Sequence, residues 1–237
     1  IYAELGENVT VSLFQIDIES GAVGKLVDCP GAQCANPAWS PNGEFLAFER
    51  VELNLDSNIA PGAPRIWLST TASGEVRPLY NDSQRVGYMP RWAGDSERIA
   101  TFDANIGGIV VTNLVDGSEQ VIRTPQGEVG HFSPDGRWMF YPRILQVPGD
   151  TRYVAHFVLV DLRSGNLASR DLTPDTEANN DIEMSWMPDS RHAVLVRRVP
   201  PPEGANTIGG AQLYLIDTET AQAEALTDDP TYSAGMI

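Results

Sequence analysis

The sequence predicts an all-β fold made from one repeated four-stranded antiparallel unit. Three observations predict it. An aromatic residue followed by a tight-turn tetrapeptide and an apolar strand recurs four times, a second hairpin follows each recurrence, and the two chain ends read as complementary fragments of a further unit.

The first observation rests on Trp39-Ser40-Pro41-Asn42-Gly43, Trp92-Ala93-Gly94-Asp95-Ser96, Phe132-Ser133-Pro134-Asp135-Gly136 and Trp186-Met187-Pro188-Asp189-Ser190. Each reads as a strand ending in an aromatic, a tight turn, and a second strand of alternating or continuous apolar residues such as Phe45-Leu46-Ala47-Phe48. In Ser133-Pro134-Asp135-Gly136, proline presets φ for the second turn position and Asp suits the third. Glycine then takes the left-handed conformation that restarts the strand.

The second observation is a further hairpin in every copy, turning at Ala72-Ser73-Gly74-Glu75, Asp116-Gly117, Ser164-Gly165 and Glu219-Thr220. Four antiparallel strands per unit is the blade of a β-propeller. The anchor aromatics are 53, 40 and 54 residues apart, and the variation falls mainly between second and third strands. Those connections span about residues 51–65, 142–154 and 199–211, but only 104–107 in the second blade.

The third observation concerns the ends. Residues 1–4 align with 46–49 as a second strand, and 11–18 and 23–27 follow as a third and fourth. Residues 232–237 align with 84–89 as a first strand. The expectation is one domain, 1–237, of five blades at about 1–28 plus 231–237, 35–81, 86–124, 128–174 and 182–228. Closing the ring this way would bury sheet edges. The alternative is a piece of a six- or seven-bladed propeller.

The Trp39-Ser40-Pro41-Asn42-Gly43 and Phe132-Ser133-Pro134-Asp135-Gly136 motifs, with the strands that follow, resemble the repeat of the TolB-like propeller family over nearly the whole chain. The copy at 93–96 lacks the proline and the copy at 187–190 lacks the final glycine. The resemblance implies a propeller that works as an interaction scaffold, or one attached to a prolyl oligopeptidase-type or tricorn-type protease.

Composition narrows the function classes. A net charge of −16 sets a repulsive field against a phosphate backbone, so nucleic acid is not an expected partner. No apolar run approaches the ~18 residues of a membrane span. Residue 1 is Ile and no leader-like segment follows it, which suggests a processed or partial product. Cys29 and Cys34 are the only cysteines, at a spacing that a turn can close into a disulfide; two free thiols are the alternative, and no further Cys or His stands nearby for a metal. A disulfide would place the chain outside the cytoplasm, in a periplasmic, cell-surface or secreted setting.

Catalytic chemistry finds little support. His131, His156 and His192 occupy different repeat positions, there is no Gly-x-Ser-x-Gly elbow, and Asp181, Glu183, Asp228 and Asp229 read as solvated loop charges. No metal or other cofactor is expected. Counting eleven residues from each anchor aromatic gives Arg50, Asp103, Arg143 and Arg197 at the ends of the second strands. With Arg91 and His131 on first strands, these arginines are candidates for a funnel that takes a carboxylate or acidic peptide; simple pairing with nearby Asp or Glu is the alternative. The expected function is a non-catalytic extracytoplasmic scaffold that binds a protein or peptide through a loop-rich face comprising 29–34, 51–65, 142–154, 174–181 and 199–211. The alternatives are a propeller that gates substrate in a larger peptidase or carbohydrate-active enzyme, and a small-ligand or calcium-binding propeller.

Overall fold

A computed structural model describes residues 1–54, 60–147, 149, 151–173, 180–198 and 210–227. The chain forms two compact units, Ile1–Val129 and Gly130–Ile237. The first unit opens with three strands, β1 (Tyr2–Leu5), β2 (Val11–Ile16) and β3 (Val23–Val27). Two complete blades follow: β4 (Ala32–Trp39), β5 (Phe45–Glu52), β6 (Arg65–Thr70) and β7 (Val76–Pro78), then β8 (Tyr88–Trp92), β9 (Arg98–Asp103), β10 (Gly108–Asn113) and β11 (Glu119–Arg123). The second unit holds two more, β12 (His131–Phe132), β13 (Trp138–Gln146), β14 (Tyr153–Asp161) and β15 (Ser169–Asp171), then β16 (Asn180–Trp186), β17 (His192–Arg198), β18 (Ala211–Asp217) and β19 (Gln222–Ala225). Within each blade, successive strands pair antiparallel in sequence order, as the hairpin repeat predicts. The fold is all-β, built from the four-stranded blades of a β-propeller.

Alternation along the strands gives each blade two apolar faces, and sheets stack through them. In the first unit Ala47, Ile66 and Leu68 of one blade pack with Ile99 of the next. On its other face, Leu46 and Phe48 pack with Leu13 and Val27 of the N-terminal strands. In the second unit Phe140, Phe157 and Leu159 meet Met184, Leu195 and Ile216.

The tight turns repeat a single design. Gly43, Ser96, Gly136 and Ser190 all adopt positive φ, between 59° and 72°, so the left-handed position holds even where serine replaces glycine. The serines have a use for their side chains. Asn42 N–H donates to Ser96 Oγ at 3.0 Å, and Asp135 N–H donates to Ser190 Oγ at 2.9 Å, tying each turn to the turn of the next blade. A second tie runs beside the first: Trp92 Nε1 donates to the Ala38 carbonyl at 2.9 Å and Trp186 Nε1 to the His131 carbonyl at 3.1 Å. The two departures from the Gly-ended motif thus exchange a left-handed strain of about 1 kcal/mol for a hydrogen bond of similar size.

Three expectations change. The first strand of the first complete blade begins at Ala32, ahead of the expected start at 35, so Cys34 lies within β4 rather than on a free turn. Residues 142–146 and 153–154 of the expected connection are strand, because β13 and β14 stay paired from Pro142↔Phe157 out to Gln146↔Tyr153. In the N-terminal sheet the inward residue is Leu13, opposite Ala3, while Tyr2 and Phe14 stack on the other face. That side-chain phase is one residue out of step with the alignment of 1–4 on 46–49. The predicted strand at 232–237, the loop 199–209 and residues 174–179 lie outside the described residues, as do 55–59.

Candidate functional site at the loop ends of the blades

Residues at the end of each second strand meet the connection to the third, where sequence length varies most. In the first unit Arg50 lies near the end of β5, with Nε 2.6 Å from Glu52 Oε1 and its guanidinium 4.9 Å from the centre of the Trp67 ring on β6. Its equivalent, Asp103, is fully buried and reverses the charge. Asp103 Oδ2 receives Arg85 Nε at 2.8 Å, and its Oδ1 receives the N–H groups of Asn105 and Ile106. Those two bonds fold residues 104–107 into a short turn, the local reason that the second blade lacks an insertion. Arg85 also lies 4.0 Å over the Tyr80 ring and 3.1 Å from Glu119. Burial opposes its charge, but Asp103, Tyr80 and Glu119 together hold its pKa above the ordinary arginine value. Burial pushes the Tyr80 phenol up.

In the second unit Arg143 Nη2 reaches Asp171 on β15 at 2.7 Å. It stands directly across from His156 on β14. Arg143 Nε and His156 Nε2 are buried without hydrogen-bond partners among the described residues. Arg197 makes a two-point pair with the fully buried Asp181, at 2.6 and 3.3 Å, and lies 5.2 Å from the centre of the Tyr214 ring. Every arginine of the predicted row is therefore joined to a carboxylate of its own blade. Three of the four charge pairs, those of Arg50, Arg85 and Arg197, add an aromatic face.

The first-strand candidates differ from these. Arg91 is exposed on β8 and makes no ion pair with a described residue. His131 is exposed on β12, its ring 5.3 Å from the centre of Phe140. Cys29 and Cys34 form a disulfide with Cα atoms 6.3 Å apart, and both are fully buried among Leu13, Val27, Leu46 and Phe48. The bridge therefore belongs to the contact between the N-terminal sheet and the first blade.

Sequence reasoning missed Glu49. It is buried on β5, and its Oε1 accepts from Asn36 Nδ2 at 2.7 Å and from Met89 N–H at 2.6 Å. Asn36 and Met89 both have positive φ, both sit in bulges of first strands, and both precede proline. One carboxylate thus pins equivalent bulges in adjacent blades. The signal was present in the repeat, since the equivalent residues elsewhere are Phe102, Pro142 and Val196. Among the described residues no group of three His, Cys, Asp or Glu side chains is arranged to hold a metal ion, and no helix is long and apolar enough to cross a membrane.

Neither a family model nor a curated protein matches the chain. Solved structures do. The chain is similar to TolB from Acinetobacter baumannii at 17% identity and a TM-score of 0.57, covering 92% of this chain and 49% of that one. Porphyromonas gingivalis dipeptidyl peptidase 4 aligns at 11% identity and a TM-score of 0.62, covering 95% and 38%. A Mycobacterium tuberculosis puromycin-hydrolyzing peptidase aligns at 18% and 0.59, covering 93% and 34%. The chain thus spans half or less of the length of these three proteins. At such identities the likeness concerns architecture, and it agrees with the turn and strand pattern: the chain has the fold of the TolB-like β-propellers.

Proposed function

We propose that the chain is a non-catalytic interaction scaffold that recognises a protein or peptide through the loop ends of its blades. One observation carries this reading. The tight-turn ends are uniform and locked blade to blade by the Ser96 and Ser190 bonds, whereas the loop ends differ in every blade in length, charge order and packing. A rigid frame with individually shaped loops is how recognition surfaces are commonly built. Arg50 and Arg143, paired with partly exposed carboxylates, are suited to exchange that partner for a carboxylate of an incoming chain, and Arg91 offers a guanidinium that no described carboxylate pairs. The buried Cys29–Cys34 bridge supports an extracytoplasmic setting.

A second reading is favoured by the shares of length just given: the chain matches about a third of two peptidases. In that reading the propeller positions substrate for a hydrolase carried elsewhere. Capture from the native source with the chain as bait separates the two. A partner that binds the chain and is lost on joint replacement of Arg50 and Arg143 by alanine supports the scaffold. Unchanged binding by that double variant removes the arginines from the proposal, and a peptidase domain in the full-length sequence favours the second reading.

A further inference from the structure

The second blade carries a cleft that none of the predicted residues touches. It is open, about 640 Å³ in volume, and lined by Phe102, Gly107, Arg123, Thr124, Pro125 and Gly127. That volume is within the range of small-ligand sites. The cleft is left uncovered because Asp103 folds residues 104–107 into a short turn. Two glycines, Gly107 and Gly127, keep its sides low.

Arg123, at the end of β11, is the charged group of the lining. Its Nη1 donates to the Ile106 carbonyl, which fixes the guanidinium over the short turn. No carboxylate of a described residue pairs with it. This sets Arg123 apart from Arg50, Arg85, Arg143 and Arg197, each of which has one. The hydroxyl of Thr124 is committed to Gln126, so it does not compete for a ligand. A planar cation with no carboxylate partner among the described residues, beside the Phe102 ring and Pro125, is complementary to a carboxylate joined directly to an apolar body.

We propose that this cleft binds the C-terminal carboxylate of a peptide whose last residue is apolar. The choice of a peptide rests on the scaffold reading; the pocket and its chemical handle do not. The carboxylate takes the free N–H groups of Arg123, and the terminal side chain lies against Phe102 and Pro125 between the two glycines.

The test is an amide-resolved NMR titration of the whole chain with N-acetyl-leucine and, in parallel, with its carboxamide. The expected result is saturable shifts at Gly107, Thr124 and Gly127 with a Kd on the order of millimolar, and at least about tenfold weaker binding of the carboxamide. Arg123→Gln should weaken N-acetyl-leucine about tenfold. Gly127→Leu should block it by filling the cleft; a Cβ there stands 3.8 Å from the Phe102 ring, in ordinary contact, on backbone that is not left-handed. The spectrum of each variant reports whether it folds, so either one alone suffices. Equal binding of acid and carboxamide, or unchanged binding by a folded variant, overturns the proposal. So does the absence of shifts at tenfold higher concentration. Because the titration needs no partner, the pocket can fail while native capture through the arginine row succeeds, and the reverse.

Discussion

The two units carry the same lock and different loop ends. In each, the turn of the first blade donates a backbone N–H to a serine of the second, and a tryptophan of the second donates to the first, with equivalent residues 93 or 94 positions apart. At the other end the likeness stops. The first unit sets a buried Glu49 between two bulges and an Asp103-capped turn in its second blade. The second unit extends β13 and β14 and leaves Ile144 and Tyr153 exposed near the tip. The repeat specifies the frame, and each loop end has been built separately upon it.

If that division is right, damage should depend on which end and which unit is altered. The largest loss is expected for Phe140→Ala, which removes the ring contacting Phe157 and Trp186 at the centre of the second unit's core. About 4 kcal/mol should be lost in denaturant melts, and hydrogen exchange should locate the loss in the second unit. Glu49→Leu comes next, at about 3 kcal/mol, because two donors lose a charged acceptor; exchange should rise at Met89 while the second unit is unchanged. Replacing Cys29 and Cys34 by alanine should cost about 2 kcal/mol, as expected for a short closed loop, with increased exchange in β2 and β3. A loss spread evenly over both units would contradict the assignment of the bridge to the N-terminal contact.

The lock itself makes a smaller and symmetrical prediction. Ser96→Ala and Ser190→Ala should each cost about 1 kcal/mol, whereas glycine at either site should be nearly neutral, since relief of left-handed strain offsets the lost bond. Unequal values in the two units would show that the shared geometry hides different energetics.

The smallest effect concerns acid. The hydrogen bond from Arg191 holds the Asp217 carboxyl down to about 2, below the ordinary aspartate value of 3.8. A depressed folded-state pKa contributes stability that is present above the unfolded value and lost as pH falls toward the folded one. Asp217→Asn should therefore match the native chain near pH 2 and fall below it above about pH 4, a difference readable by thermal melts across that window.

The blades were legible because turn chemistry and strand alternation are local properties, repeated often enough to cross-check. Gly43 and Gly136 announced left-handed turn positions from sequence; Ser96 and Ser190 were read as departures because their bonding partners lie 54 and 55 residues away. The arginine row was found by counting, and pairing with Asp or Glu was foreseen as the alternative, but the partners themselves were not. Asp171 and Asp181 lie on other strands, and Arg85 reaches Asp103 from the segment linking two blades. The length of β13 and β14 escaped because 142–154 was taken from repeat spacing as a connection, although Pro142 lies in the strand. Arg123 carried no signal in the repeat; only the shortness of the turn at 104–107 pointed toward its cleft.

The serine at the fourth turn position has one last consequence. Among the complete blades it falls in the second of each unit, so the repeating element of the lock is a pair, with a donor turn and an acceptor turn. A designed chain that adds a single blade to such a pair would set two donor turns, or two acceptor turns, side by side.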